Sequence, residues 1–208
     1  MTQESLPFDT KIKNRNNEFK INGLFYKSEF ITISEQDELI NKIDDQPWLD
    51  DLRRRVQHFG YKYDYKARRI NQSMKIADFP DWMMAYARKL HEEDIFPDIP
   101  DQVIINEYLP GQGIASHIDC EPCFTETVAS LSLNSHCVMN LTDKDNPDTA
   151  YDYLLEPRSL IILKNEARFQ WMHGIKPLKN DKYSGKVIPR KRRISLTFRK
   201  VILDSEGD

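Results

Sequence analysis

The chain has 208 residues, 39% hydrophobic and 30% charged, with a formal net charge of −3 at pH 7. That length and balance are typical of a globular protein with a real buried core, and the acidic total excludes a chain that is basic over its whole surface. No apolar run is long enough to cross a bilayer, so we expect no membrane partner.

The first segment, residues 1–20, is polar and irregular, and it predicts a flexible tail. It lacks the charged and apolar regions of a secretory signal. Three cysteines, an odd number, argue against a disulfide framework and for a reducing compartment. We therefore expect one domain over residues 21–208, present as a monomer in the cytoplasm or, in a eukaryote, in the nucleus.

The next segments predict a strand and two helices. Aromatic and β-branched residues over positions 19–30 favour a strand. A helix should follow, capped by Thr32 or Ser34 and running to about Lys42, because acidic residues in its first turn suit the helix dipole. A second helix is predicted over residues 81–93, where apolar residues recur at helical spacing.

Between these helices, aromatic residues alternate with polar ones from Gln57 to Tyr65, and basic residues flank them. The alternation predicts a strand with one ring-bearing face. One interpretation is an ordinary sheet surface beside solvated arginines. The other is a base-stacking platform, with rings such as those of Tyr61 and Tyr63 and with phosphate-contacting arginines such as Arg54. A stacked base contributes roughly 1–3 kcal/mol, whatever its identity.

From Gln102 onward, short strand-forming segments are separated by turns rich in Gly, Pro, Asn and Asp. Eight strands are predicted, over residues 102–108, 114–118, 126–133, 136–141, 151–155, 159–164, 169–174 and 191–202. This pattern predicts a mainly β fold of the α+β class, a double-sheet jelly roll with flanking helices.

The second of these strands carries two candidate metal ligands. His117 and Asp119 are one residue apart, so alternation along a strand would place both side chains on one face. One imidazole and one carboxylate are two of the three ligands of a facial triad, which holds Fe(II) and leaves positions open for a co-substrate and O₂. His173, in a distant Trp-Met-His-Gly segment, is the candidate third ligand.

The last strand carries two candidate anion-binding residues. Arg193 and Arg199 lie six residues apart, an even separation, so both face the same side. A guanidinium keeps its charge and matches a carboxylate with two parallel hydrogen bonds. Either arginine alone could be an edge-strand residue that deters aggregation. Their occurrence with Asn106 and Tyr108, which share one face of an earlier strand, favours a binding site.

Four elements thus follow in a fixed order: Asn-x-Tyr before a glycine turn, His-x-Asp, a distant His-Gly, and Arg-x₅-Arg. In this order they resemble the AlkB family of Fe(II)/2-oxoglutarate-dependent dioxygenases, over roughly residues 50–203. The resemblance implies a double-stranded β-helix that binds Fe(II), 2-oxoglutarate and O₂. It implies His117, Asp119 and His173 as iron ligands, with no catalytic residue beyond the metal site.

The same resemblance implies the co-substrate contacts. They are Asn106, Tyr108, Arg193 and Arg199, with Arg193 on the far carboxylate and Arg199 near the keto-acid end. The segment from Gly60 to Tyr63 matches the family's Gly-Tyr-x-Tyr pattern, which belongs to a nucleotide-recognition lid, here about residues 50–75.

The resemblance also implies a nucleic-acid substrate, DNA or RNA. Glu121 occupies the position at which dealkylating members carry an acidic residue; it would look into the cavity and attract a cationic alkylated base, or else be a solvated loop residue. A one-sided basic run could track a phosphate backbone or be a solvated loop. The run consists of Lys176, Lys179, Lys182, Lys186, Arg190, Lys191 and Arg192.

Locally, the resemblance is closest to the dioxygenase domain of the tRNA-modifying AlkB homologue, for example over residues 54–61 and 130–133. Glu121 replaces a histidine of that homologue, and Arg54 replaces a base-stacking tryptophan of bacterial AlkB. Three functions therefore stay open. The first is oxidative removal of alkyl groups from DNA or RNA bases. The others are hydroxylation of a modified tRNA wobble base and a catalytically silent nucleic-acid-binding jelly roll.

Two cysteines belong to none of these motifs. Cys120 and Cys123 lie beside the predicted metal ligands in a Cys-x-x-Cys spacing. Without a second cysteine pair this spacing is poor evidence for zinc. We interpret both as packing residues or as residues prone to oxidation.

Overall fold

Antiparallel strands dominate the computed structural model, which describes residues 21–50, 53–62 and 69–203. The elements are β1 (Leu24–Lys27), α1 (Ile33–Asp44), β2 (Val56–Tyr61), β3 (Lys75–Ala77), α2 (Asp81–Glu92), β4 (Gln102–Tyr108), β5 (Ile114–His117), β6 (Phe124–Leu133), β7 (Cys137–Asp143), β8 (Ala150–Leu155), β9 (Leu160–Leu163), α3 (Asn165–Phe169), β10 (Trp171–Ile175), β11 (Asn180–Tyr183), β12 (Lys186–Pro189) and β13 (Arg193–Val201). A 3₁₀ turn, Gln72–Met74, precedes β3. The predicted tail, residues 1–20, lies outside the described residues, as does Tyr63.

Two sheets face each other. The larger has seven strands in the order β1-β9-β6-β13-β4-β2-β3, and the smaller has four in the order β5-β10-β7-β8. Strands β11 and β12 form a separate hairpin. All eight strands predicted from residue 102 onward are present, and the predicted jelly roll with flanking helices is confirmed.

The large sheet has an apolar outer face, and its strand β13 is polar on the inner face. On β13, Ile194, Leu196 and Phe198 belong to the core cluster that includes buried residues of α1 and α2. The residues between them, from Arg193 to Arg199, line a cavity between the two sheets. Alternation along β13 therefore puts the helices on one side and the polar groups on the other.

Helix α1 begins as the sequence predicts. Thr32 is the N-cap, and its hydroxyl accepts a hydrogen bond from the backbone N–H of Glu35. The Glu35 carboxylate accepts in return from the backbone N–H of Thr32 at 2.7 Å, which completes a capping box. Helix α2 follows Pro80 and ends one residue before the predicted boundary. No helix in the described ranges is both long and apolar enough to cross a membrane.

The hairpin of β11 and β12 is absent from the sequence-based prediction, because its sequence is polar and rich in lysine. Its loop is Ser184-Gly185, and both residues have positive φ, 47° and 75°. Two residues of positive φ form the type I′ turn that suits the twist of paired strands. The Ser-Gly dipeptide is the available sequence signal.

Two glycines with the same backbone conformation provide a matched test of the packing around β2. Gly60 and Gly185 have φ of +76° and +75°, but a Cβ on Gly60 would lie 1.8 Å from the Asp101 carbonyl oxygen, whereas Gly185 has nothing within 4 Å. Gly185→Ala should lower the free energy of unfolding by about 1–2 kcal/mol. Gly60→Ala should lower it by a further 1–3 kcal/mol or so. Chemical denaturation measures both values, and equal losses would contradict the close approach of β2 to Asp101.

Candidate metal centre

A cavity of about 530 Å³ lies between the two sheets. Its walls include the inner faces of β4, β13, β5 and β10. Its polar lining includes Arg54, Gln102, Asn106, Tyr108, His117, Asp119, His173, Arg193 and Arg199. The residues predicted to bind metal and co-substrate therefore share one cavity.

The three candidate metal ligands converge at one end. His173 on β10 is the direct cross-strand partner of His117 on β5, so both imidazoles project from one face. Asp119 lies two residues beyond the end of β5, in the turn that follows the strand. One ligand atom from each residue lies within 4.8 Å of the others, and the His173 Nε2 to Asp119 Oδ2 distance is 3.8 Å. The predicted triad is thus brought together, although the strand ends before Asp119.

The donor atoms suit a cation. His117 Nδ1 is 2.8 Å from the carbonyl oxygen of Ala115, which makes Nδ1 the protonated nitrogen and leaves the Nε2 lone pair free. Asp119 Oδ1 accepts a 2.7 Å hydrogen bond from Arg199 Nη2. Asp119 Oδ2 is buried and has no hydrogen-bond partner. A buried unpaired carboxylate oxygen beside two imidazoles requires a positive charge, and a divalent metal fits that requirement.

The protonation states also suit a metal. Burial lowers the pKa of His173 to about 3, against the opposing attraction of Asp119. Burial would raise the pKa of the Asp119 carboxyl, but the opposing charge of Arg199 outweighs that effect and holds this pKa well below its usual range. At neutral pH the site therefore presents a neutral imidazole and an ionised carboxylate, the forms that bind metal.

A buried arginine that the sequence analysis does not single out organises the turn after Asp119. Arg168 on α3 is 2% exposed, and its Nη1 donates to the Asp119 carbonyl oxygen at 3.0 Å. Its Nη2 donates to the carbonyl oxygens of Cys120 and Phe124 at 3.3 and 3.4 Å. The guanidinium thus fixes the backbone that carries the metal-facing carboxylate. An arginine between Ala167 and Phe169 is the only sequence signal.

The two cysteines of this turn are bonded to each other. Cys120 and Cys123 form a disulfide, which fits the interpretation as residues prone to oxidation; a single bridge is not a disulfide framework. Both are also buried, in a small cluster with Tyr61, Ile70, Phe124 and Val201. The interpretation as packing residues therefore holds alongside the bond.

Arg193 lies deep in the cavity, and no carboxylate of the described residues pairs with it. It is 2% exposed, and its Nη2 donates to Ser132 Oγ at 2.8 Å. Its Nε and Nη1 are buried without a hydrogen-bond partner. The guanidinium lies 5.4 Å from the ring centre of Tyr108. Because a buried unpaired guanidinium is unfavourable, this position is suited to a carboxylate of a bound ligand.

Arg199 and Asn106 occupy different parts of the wall. Arg199 donates to Gln102 Oε1 at 3.1 Å as well as to Asp119, which places it at the metal end. Asn106 accepts at Oδ1 from Arg54 Nε at 2.8 Å, so its amide N–H groups stay available to a ligand.

Three of the four predicted substrate contacts are placed differently from the expectation or lie outside the described residues. Tyr61 is 6% exposed and its hydroxyl contacts Gln72, so the structure does not present it as a stacking surface. Glu121 is exposed and does not line the cavity. Of the two interpretations of Glu121, its position fits the solvated loop residue, because alternation ceases where β5 ends at His117. Tyr63 is outside the described residues, whereas Arg54 does line the cavity.

The predicted basic run divides into buried and exposed parts. Arg190 is buried and pairs with Asp181 through two hydrogen bonds of 2.6 and 2.8 Å. Arg192 pairs with both Asp44 and Glu107. Both arginines are therefore neutralised by carboxylates, so neither is a free cation for a phosphate backbone. The lysines of the run, Lys176, Lys179, Lys182, Lys186 and Lys191, are exposed.

A jelly roll that places two histidines and an aspartate in one cavity with a buried arginine is typical of the iron- and 2-oxoglutarate-dependent class of oxygenases. Residues 23–199 match the family model described as the 2OG-Fe(II) oxygenase superfamily. The chain belongs to this superfamily. It also belongs to the AlkB family, because it is 30% identical to an alkB homolog 7 of Bos taurus over 82% of this chain and 75% of that protein. The enzyme class and the use of Fe(II), 2-oxoglutarate and O₂ follow from that membership.

Three relatives illustrate the match. An uncharacterised protein of Acanthamoeba polyphaga mimivirus is 35% identical, over 88% of this chain and 86% of its own length. An "Alkylated DNA repair protein ALKBH8 homolog" of Arabidopsis thaliana is 31% identical, over 94% of this chain. A "tRNA (carboxymethyluridine(34)-5-O)-methyltransferase ALKBH8" of Macaca fascicularis is 34% identical, over 74% of this chain. The match spans 65% of the Arabidopsis protein and 24% of the Macaca protein.

A solved structure supports the fold. OsALKBH1 superposes with a TM-score of 0.65 at 18% identity, over 88% of this chain and 99% of that one. At that identity the likeness concerns the architecture alone.

Replacing His173 tests the metal centre. His173→Gln should weaken divalent metal binding by more than about a hundredfold, because loss of an outer-shell contact alone costs 10–100-fold. His91→Gln is the control, since His91 lies on α2 outside the cavity. Anaerobic calorimetric titration with Fe(II) measures both affinities. Unchanged affinity in His173→Gln would remove this residue from the metal centre.

Replacing Arg193 tests the anion position at the cavity floor. Arg193→Gln should weaken 2-oxoglutarate binding by roughly 3–5 kcal/mol, because the co-substrate carboxylate would be left buried and unpaired. Arg158→Gln is the control, because Arg158 lies outside the cavity lining. Titration of 2-oxoglutarate into the metal-loaded protein gives the affinities, and equal affinity in both variants would contradict the assignment.

Proposed function

We propose that this oxygenase acts on nucleic acid and oxidatively removes alkyl groups from DNA or RNA bases. The observation that carries the proposal is the cavity itself. The cavity contains the metal-binding triad and the anion position at Arg193. Two relatives of the chain have names of nucleic-acid enzymes. In this proposal His117, Asp119 and His173 hold Fe(II). Arg193 holds the far carboxylate of 2-oxoglutarate.

The cofactors supply the oxidation: when bound, Fe(II), O₂ and 2-oxoglutarate hydroxylate a C–H bond, with 2-oxoglutarate converted to succinate and CO₂. The chain supplies position. Arg199 orients the Asp119 carboxylate, and Arg168 fixes the turn that carries it. Asn106 and Tyr108 lie on one face of β4, and both offer polar contacts to the co-substrate. Apolar lining residues limit the entry of water; they include Ile104, Ile114, Val128, Met139, Ile161 and Leu163.

The atom that bears the substrate's alkyl group determines the final product. A hydroxylated methyl group on a ring nitrogen leaves as formaldehyde, and the bare base remains. A hydroxylated carbon that is bonded to ring carbon keeps its oxygen. One site therefore supports removal of a group from one base and permanent modification of another.

Exposed lysines offer a path for the phosphate backbone. The turn between Tyr108 and Ile114, two cavity-lining residues, contacts the segment before the β11–β12 hairpin through a hydrogen bond from Gly111 N–H to the Leu178 carbonyl oxygen. The lysines around this hairpin therefore flank the cavity wall. Binding through lysines would weaken with salt. A base in a duplex would have to flip out of its pair to enter the cavity, which costs about a few kcal/mol. A base in a single strand or an RNA loop would not bear this cost.

Hydroxylation of a modified tRNA base is the second candidate. Two observations favour it: Arg54 lines the cavity, and Glu121, the acidic residue expected to attract a cationic base, is exposed outside it. The Macaca relative is named for a tRNA uridine. A catalytically silent binder is disfavoured, because an unpaired Arg193 and an unpaired Asp119 oxygen would have no purpose without ligands.

An activity panel tests the proposal. Protein with Fe(II), 2-oxoglutarate and air should form succinate faster when it is given methylated DNA, methylated RNA or tRNA, and Asp119→Asn should abolish that formation. Mass spectrometry then identifies the outcome: formaldehyde with loss of the methyl group indicates dealkylation, and a retained oxygen indicates modification. Failure of every nucleic acid to raise succinate above the substrate-free rate would contradict a nucleic-acid substrate.

A further inference from the structure

We propose that Arg54 forms a second anion position in the cavity, which receives a negatively charged group of the substrate. This inference rests on the proposed nucleic-acid function and narrows its substrate class. Arg54 contacts two side chains of the cavity lining. The Nε donates to Asn106 Oδ1 at 2.8 Å, and the guanidinium carbon lies 5.6 Å from the ring centre of Tyr108. Both partners are uncharged, and no carboxylate among the described residues pairs with Arg54.

The contact with Asn106 fixes one edge of the guanidinium, and the two terminal nitrogens make no hydrogen bond to another described residue. A fixed guanidinium presents its two terminal nitrogens in one plane, in the geometry that binds a carboxylate or phosphate with two parallel hydrogen bonds. Arg54 also lines the cavity and is half-buried. A ligand in the cavity would therefore meet these nitrogens.

The charge balance of the cavity leaves this group uncompensated. Asp119 is the only carboxylate among the lining residues of the described chain, and it is paired with Arg199. A divalent metal and the dianion 2-oxoglutarate cancel each other. Arg54 and Arg193 then contribute positive charge that no carboxylate of residues 21–50, 53–62 or 69–203 neutralises. A cationic alkylated base would be repelled here, whereas an anionic group would be attracted.

Depth in the cavity separates the two anion positions. Arg193 is 2% exposed at the floor and already has Ser132 as a partner, which suits the co-substrate. Arg54 is more exposed than Arg193. The guanidinium carbon of Arg54 lies 5.6 Å from the ring centre of Tyr108, and that of Arg193 lies 5.4 Å from it. A substrate that enters after 2-oxoglutarate would reach Arg54. The anionic group is either a carboxylate carried by the base or the phosphate of the same nucleotide.

Binding of matched RNAs tests the inference. The probe is a fluorescent stem-loop RNA with 5-carboxymethyluridine in its loop, compared with the same RNA carrying 5-carbamoylmethyluridine, which has nearly the same shape but no charge. A third RNA carries the neutral base and a neutral methylphosphonate link on its 5′ side. The protein is loaded with Fe(II) and 2-oxoglutarate without O₂, so nothing is turned over, and fluorescence anisotropy gives the affinities.

The variants are Arg54→Gln and, as control, Arg53→Gln. Arg53 is exposed and does not line the cavity, so its replacement removes the same charge from the neighbouring position. The wild-type and Arg53→Gln proteins should prefer the carboxymethyl RNA by about 10- to 100-fold, the range of a charged hydrogen bond, and Arg54→Gln should lose that preference. If phosphate is the anion, the methylphosphonate should instead weaken binding to the wild type and not to Arg54→Gln.

Three results would overturn the inference. Equal responses of Arg54→Gln and Arg53→Gln to both neutral replacements would show that Arg54 binds no substrate anion, and the proposed function would stand. A loss of 2-oxoglutarate affinity in Arg54→Gln as large as that in Arg193→Gln would assign Arg54 to the co-substrate. If the wild type binds none of the RNAs and the activity panel is negative, the proposed function fails and the inference fails with it.

Discussion

The ion pair between Arg199 and Asp119 connects the two sheets at the point where the chemistry takes place. Arg199 belongs to β13 of the large sheet, and Asp119 follows β5 of the small one. The 2.7 Å contact occupies one carboxylate oxygen and leaves the other buried and unpaired. A buried ion pair of this kind is weak evidence for stability. Its effect here is geometric, because it holds the free oxygen toward His117 and His173.

Alternation along the central strands explains how a stable core and a charged cavity share the same sheet. Every second residue of β4 and β13 packs toward the helices, and the residues between them face the cavity. The apolar outer face stabilises the sheet, so the inner face tolerates unpaired guanidinium groups. Those groups are unfavourable on their own, and the binding of anions stabilises them.

The sequence predicted the parts of this arrangement that depend on local periodicity. The even spacing of Arg193 and Arg199, the pairing of Asn106 with Tyr108 and the capping of α1 by Thr32 all follow from short-range rules. The inward orientation of Asp119 was predicted from strand alternation, but β5 ends at His117, and the orientation depends instead on Arg168 and Arg199. The same rule failed two residues later, at Glu121.

Contacts between distant segments could not be read from the sequence. Arg192 pairs with Asp44, 148 positions away, and Arg190 is neutralised by Asp181 across the unpredicted hairpin. The five lysines of the basic run are exposed, whereas its arginines Arg190 and Arg192 are paired with carboxylates. Tyr61 was expected on an open face because its segment alternates, yet the neighbouring turn with the disulfide covers it.

The central claim is that one cavity binds Fe(II) through the triad and 2-oxoglutarate beside it. The visible absorption spectrum of the protein, recorded without O₂, tests it most directly. Fe(II) chelated by a 2-oxo acid gives a charge-transfer band that neither component gives alone. We expect this band on addition of Fe(II) and 2-oxoglutarate, and its absence when succinate replaces 2-oxoglutarate. A protein that binds Fe(II) but shows no band with 2-oxoglutarate would contradict the claim.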